Sequence, residues 1–265
     1  MSAAKVLFVF EGERPETNVV ARLQAAFPEE LGDLAEGSVE IVYASNVYAL
    51  YSALKEGEGF LDLLEVLKEQ QPGNDSLRAM DRERVSQTVL FFDLDIHGRP
   101  TTGACAQLEE MLRFFDDETE NGKLFLSYPM AEAVNACDLS DGLLGEDRRW
   151  FGIDECKNNG FKKFVDGLNR DSRTICRSNC RRNWETVCAA NYEKAGWLMK
   201  LSSPWTPDLL RQMTQPAIWQ FQRPRIEREN VVAVLSAFPF FLLEYLGAEK
   251  TCALCGLPRN GNFQE

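Results

Sequence analysis

A chain of 265 residues, 45% apolar and 26% charged, has the makeup of an ordinary globular protein with enough length for a sizeable core. Its net charge of −12 argues against a general nucleic-acid coat. The longest apolar stretch, Val231 to Leu243, is interrupted by Ser236 and Pro239 and falls short of the roughly 20 residues a membrane helix needs.

In chain order, no export signal is legible ahead of Lys5, which predicts a cytoplasmic protein. Lys5 to Phe10 carries an unbroken apolar run from Val6 onward, the mark of a strand buried on both faces. It ends at Glu11-Gly12 and is followed by Glu13, Arg14, Pro15 and Glu16. Pro and acids suit a first helical turn, and Val19, Val20, Leu23, Ala26 and Phe27 continue that helix as an apolar stripe. Val39 to Val42 reads as a second strand, Asn46 to Leu54 and Phe60 to Leu67 as helices, and residues 70–75 as a loop. The central stretch, Val85 to Asp93, carries the apolar run Val89-Leu90-Phe91-Phe92 into Asp93-Leu94-Asp95.

After it, Leu108, Met111, Leu112 and Phe115 mark a helix, Asn121-Gly122 a turn, and Leu124 to Leu126 a short strand. This alternation predicts a parallel α/β sheet flanked by helices over residues 1–135. Strand signals then stop. Residues 136–265 read as a mostly helical region packed on the first, with helical stretches at Trp205 to Phe221 and Asn230 to Leu246, the latter kinked at Pro239.

Charge divides along the same line. Residues 1–146 hold 11 Lys+Arg against 28 Asp+Glu, a net of −17, whereas residues 147–265 hold 18 against 13, a net of +5. Strand-end carboxylates account for the sharpest part of the acidic half: Glu11, with Glu13 and Glu16, after the first strand, and Asp93 with Asp95 after the third. Asp93 and Asp95 are two apart, so their side chains are expected on one side. Two carboxylates about 5 Å apart repel by roughly 3 kcal/mol at an effective dielectric near 20, so a positive group is expected between them. Oxygen-only clusters suit a hard cation, Mg²⁺ or Mn²⁺. Arg14 and Arg99, both near in sequence, are the competing way to neutralise the same acids.

Phe8-Val9-Phe10-Glu11-Gly12-Glu13, followed by a helix and later by Leu90-Phe91-Phe92-Asp93-Leu94-Asp95, resembles the Toprim domain of topoisomerases, primases and OLD-type nucleases. The stretch Glu11 to Asn18 is similar to small OLD-like and RloB-like proteins that accompany bacterial phage-defence ATPases, and Tyr128-Pro129-Met130-Ala131-Glu132 is similar to a later Pro-x-x-Glu of that group. The resemblance covers residues 5 to about 135. It implies a Toprim-like (Rossmann-like) fold and a metal-dependent nuclease, acting on DNA beside a partner ATPase in antiviral defence. Carried over residue by residue, it makes Glu11 a general acid/base or metal ligand, Asp93 and Asp95 the ligands of Mg²⁺, and Glu16 a second-metal ligand. Glu13, Glu132, His97 and Lys123 are additional candidates at this site.

Two other readings stay open. A non-catalytic Toprim-fold sensor or docking subunit would use the same acids as a partner-facing patch, the chain having no P-loop of its own. The Asp-x-Asp also matches the opening of haloacid-dehalogenase-type phosphatases, although Ile96-His97 stands where that family prefers Gly-Thr.

In the basic half, Arg173, Arg177, Arg181 and Arg182 are candidate nucleic-acid contacts, with Trp150, Phe151, Phe161 and Phe164 interleaved among nearby cations. The eight cysteines, without an export signal, are expected as free thiols or metal ligands. Cys252-Ala-Leu-Cys255 has the spacing of a zinc half-site, which Cys176 and Cys180 would complete. The lone His97 argues against His-rich metal sites and a Ser-His-Asp triad.

Overall fold

The computed structural model describes residues 5–12, 16–55, 61–95, 101–137, 149–168, 179–202 and 205–256. Four parallel strands form the centre: β1 (Lys5–Phe10), β2 (Ser38–Val42), β3 (Val85–Asp93) and, beyond a short β4 (Asp116–Asp117), β5 (Gly122–Ser127). Their order is β2-β1-β3-β5-β4, with β4 antiparallel to β5. The apolar runs read from the sequence are these strands, and their middles are fully buried, as strands covered on both faces must be.

The first crossover, from β1 to β2, passes through α1 (Glu16–Ala26) and α2 (Pro28–Gly37). The second, from β2 to β3, carries α3 (Val47–Leu54), α4 (Leu63–Gln70) and the single turn α5 (Asp75–Arg78); α6 (Thr101–Phe114) leads on towards β5. Because β1→β2 and β2→β3 run in opposite directions across the sheet, right-handed crossovers set α1 and α2 on one face and α3, α4 and α6 on the other. The Tyr48 hydroxyl of α3 donates to the Ala104 carbonyl of α6, joining the two on their shared face.

The second half supplies α7 (Gly160–Gly167), α8 (Arg181–Met199), α9 (Pro207–Leu210), α10 (Gln215–Glu229), α11 (Ala237–Leu246) and α12 (Ala248–Leu254). It is not purely helical. β6 (Trp150–Gly152) and β7 (Val231–Ala233) pair antiparallel, so the helix expected from Asn230 to Leu246 begins seven residues later, at Ala237. Pro239 then falls in the first turn of α11, where its missing N–H is one of those without a helical acceptor, and the kink expected there is unnecessary. The helix expected over Trp205 to Phe221 is split into α9 and α10.

Two devices weld this half to the sheet. On the face of Phe8, Phe10, Phe91 and Phe125, α11 packs Phe238 and Phe241: Phe238 stacks on Phe91 with ring centres 4.9 Å apart, and Phe241 meets Phe8 edge-on at 5.6 Å. At the sheet edge, the Leu126 N–H donates to Gln215 Oε1 at 3.1 Å, and Tyr128 exchanges both backbone hydrogen bonds with Leu235. An open strand edge is thereby satisfied from within the chain. A single hydrophobic cluster consequently runs from Leu7 through to Cys252. Among the described residues no helix is long and apolar enough to cross a membrane.

Candidate functional site at the carboxyl edge of the sheet

The strand order reverses between β1 and β3, because the chain leaves β1 towards β2 and then returns past it to β3. In open α/β sheets the crevice outside the carboxyl ends of such strands is where ligands bind. Glu11 and Asp93 occupy those two ends. The Glu11 N–H continues the ladder by donating to the Phe91 carbonyl at 3.1 Å, and the Asp93 N–H donates to Glu11 Oε2 at 3.0 Å. The loops after the first and third strands therefore meet, as the acidic pattern requires.

The two aspartates are drawn to opposite flanks. Asp93 Oδ1 accepts from the Ala131 N–H at 2.7 Å, on the β5 side, where a short 3-10 turn (Ala131–Asn135) begins. Asp95 lies past the strand end with its backbone at φ +26°, a region that side-chain-bearing residues rarely enter. Its Oδ2 accepts from Asn46 Nδ2 at 2.8 Å, on the β2 side. Asn46 is anchored in turn, for its Oδ1 caps α3 by accepting the Ala49 N–H. Among the described residues an N–H donor reaches each carboxylate: Asp93 N–H on Glu11, Ala131 N–H on Asp93 and the Asn46 amide on Asp95. Charge-assisted bonds of this kind stabilise a carboxylate. Among the described residues, no three His, Cys, Asp or Glu side chains converge as a group able to hold a metal ion.

The remaining candidates are dispersed. Glu132 follows Ala131 directly and pairs with Lys162 at 3.0 Å. Lys123 sits at the opposite end of β5, four residues before Ser127 and so about 13 Å up the strand, and binds Glu244 at 2.9 Å; it belongs to the far edge of the sheet and not to this crevice. Glu118 and Glu120 also lie on that far side, beside the β4–β5 turn. The side chain of Glu16 and the whole of Glu13, Arg14, His97 and Arg99 lie outside the described residues.

Among the proposed nucleic-acid contacts, Arg181 is engaged by Glu30 and Glu185 and lies over the Phe27 ring at 5.2 Å, tying α8 to α2. Arg182 is exposed on the first turn of α8. Arg173 and Arg177 lie outside the described residues, as does Cys176.

Three of the four cysteines of the expected zinc set, Cys180, Cys252 and Cys255, fall among the described residues. Cys180 is exposed at the start of α8 and Cys252 is buried in α12. Cys255 shares a hydrogen bond with Cys188 of α8, and that bond, together with burial, keeps the Cys188 thiol above its usual pKa, hence protonated.

Asn46 was the residue of this site that the acidic pattern did not single out. Its signal was present, an Asn immediately before an apolar helical run, but that signal marks a helix cap and says nothing about a partner 49 residues away.

The chain matches no protein-family model, and comparison with curated proteins and with solved structures returned no match.

Proposed function

We propose that the chain is a metal-dependent phosphodiesterase acting on nucleic acid, a nuclease of Toprim type that works on DNA beside a partner ATPase in antiviral defence. One observation supports this reading above the others: Glu11 and Asp93 stand at the carboxyl ends of adjacent parallel strands, at the point where strand order reverses. The donors there are carboxylate oxygens, which suit Mg²⁺ or Mn²⁺; with Asp95 as the flanking carboxylate, Glu11 and Asp93, joined across the two strand ends, would hold such a cation, water completing its shell. Bound there, it would supply Lewis acidity towards a phosphoryl oxygen and a lowered pKa for attacking water. The protein's own contribution is orientation. Asp93 N–H fixes the Glu11 carboxylate, which is then placed to accept or return a proton at the reacting oxygen. Ala131 N–H and Asn46 fix the two aspartates.

The test is nicking of supercoiled and linear DNA with Mg²⁺ or Mn²⁺, by the wild-type chain and by Asp93→Asn and Asp95→Asn. Asparagine keeps an oxygen for the Ala131 N–H but removes the charge, so the fold is expected to survive while cutting falls by a factor of about 100 or more. Wild-type rates in both variants overturn the proposal.

A second reading, a non-catalytic sensor or docking subunit of the same kind of complex, is favoured by the neutral donors already on all three carboxylates. Calorimetric titration with Mn²⁺ separates the two. Binding that vanishes in Asp93→Asn supports the nuclease, and no binding by the wild-type chain supports docking.

A further inference from the structure

On the second half of the chain, a cleft of about 580 Å³ is lined by Trp150, Trp197, Lys200, Phe221, Pro224 and Arg225, among others. Its walls come from β6, the end of α8 and the middle of α10. Three features set it apart from the rest of the surface.

The first is aromatic. Trp150 and Trp197 lean together with ring centres 5.0 Å apart, and neither is buried, whereas the other three tryptophans, Trp184, Trp205 and Trp219, are in the core. Phe221 on the rim is 36% exposed, one of two large apolar side chains exposed among the described residues.

The second is electrostatic. In a chain of net charge −12, no acidic residue lines this cleft. Arg225 lies over the Trp150 ring at 5.2 Å and Arg149 over Trp197 at 5.1 Å. Each guanidinium centre thus sits over an indole face, a cation–π contact. Glu229 engages one nitrogen of Arg225 and steadies it in that pose. Lys200, at the end of α8, adds an exposed ammonium.

The third is a backbone acceptor. Pro224 lies inside α10 and has no N–H, so the carbonyl of Gln220, four residues earlier and also on the cleft wall, lacks its helical donor.

We infer that this cleft binds single-stranded nucleic acid, taking unpaired bases against Trp150, Trp197 and Phe221 and the phosphates on Lys200 and Arg225. Stacking surfaces interleaved with cations are the means by which proteins hold single strands with little sequence preference. Paired bases offer no free face to such rings, and a cleft of this size takes a few bases and not a duplex. A proline-rich peptide also docks on aromatic grooves, but it offers nothing for the two cations Lys200 and Arg225. The cleft is tethered to the acidic edge: Trp150 pairs with Ala233 in the β6–β7 ladder, and Leu235, two residues on, pairs with Tyr128, next to Ser127 at the end of β5.

The inference stands on the cleft and not on cleavage, so it is tested in EDTA. Tryptophan fluorescence of the full chain is titrated with an oligothymidylate of about 12 nucleotides, with a duplex of equal length and with a proline-rich peptide. Quenching by the single strand is expected, because the two tryptophans outside the core are the ones in the cleft. Phe221→Ala, on the rim, is expected to bind at least about fivefold more weakly. The double variant Lys200→Gln, Arg225→Gln should flatten the dependence of log affinity on log salt by roughly 0.7 per cation removed. Thermal melting checks that both variants fold. Binding by the wild-type chain that cuts nothing when Mg²⁺ or Mn²⁺ is supplied would overturn the nuclease alone. No quenching, quenching undiminished in both cleft variants, or stronger binding of the duplex or the peptide overturns the inference.

Discussion

Lys194 lies on α8, 2% exposed, and its ammonium has one hydrogen bond from the described residues, a long one of 3.4 Å to the Ala136 carbonyl. Burial lowers its pKa to about 8, with Arg149 acting the same way and Cys137 opposing. The folded pKa is therefore below the unfolded value of 10.5. Below about pH 8 both states are protonated and the cost of the buried charge is constant. Between about pH 8 and 10.5 the unfolded state binds more protons, so this group's contribution to stability rises with pH, by a total of about 3 kcal/mol. Lys194→Met removes the charge and keeps much of the stem. It is expected to be more stable than the wild type at pH 7, by about 1–3 kcal/mol, with the gap closing near pH 10. Urea midpoints of both proteins at the two pH values check this, and a gap independent of pH would show that the folded and unfolded states hold the proton alike, so that burial does not depress the pKa of Lys194. A buried lysine is invisible in the sequence, where Lys reads as surface.

At the scale of elements, helix α8 and the segment after it meet through a missing side chain. A Cβ placed on Gly196 would lie 1.8 Å from the Trp205 ring, and Trp205 is buried. Gly196→Ala gains helix propensity of about 1 kcal/mol but must push the indole aside, so a net loss of about 2 kcal/mol or more is expected, read as a lowered thermal midpoint. An unchanged or raised midpoint would mean that Trp205 moves freely. Close helix-to-ring approach cannot be read from a glycine in a helical pattern, which by itself only lowers the expectation of a helix. Similar reasoning accounts for β7. Val231–Ala233, expected as the start of a helix from its apolar character, is instead a strand paired with β6, and Gln222, buried in α10, holds it there, its amide donating to the Ala233 carbonyl and accepting from its N–H.

Over the whole molecule, the face presented by Phe8, Phe10, Phe91 and Phe125 is covered by α11, and the β5 edge by Gln215 and Leu235. A fragment of residues 1–135 would expose those rings, each burial being worth about 1.5–3 kcal/mol, together with an unpaired edge. Such a fragment is expected to aggregate or to bind a hydrophobic dye strongly. A monomeric fragment with a cooperative melt would show that residues 1–135 form a self-sufficient domain.

The strands β1, β3 and β5 were legible in the sequence because a strand buried on both faces must be apolar at every position, a local requirement that leaves a local trace. The candidate acids were legible for a related reason: a carboxylate straight after such a run marks a strand end. Which strands are neighbours, and so which carboxylates meet, depends on crossover direction, and the partners Asn46 and Ala131 arrive from other loops. The Trp150–Trp197 cleft likewise joins segments 47 residues apart. Spacing along the chain records what each residue needs from its immediate neighbours; only the folded packing decides which distant groups supply the rest.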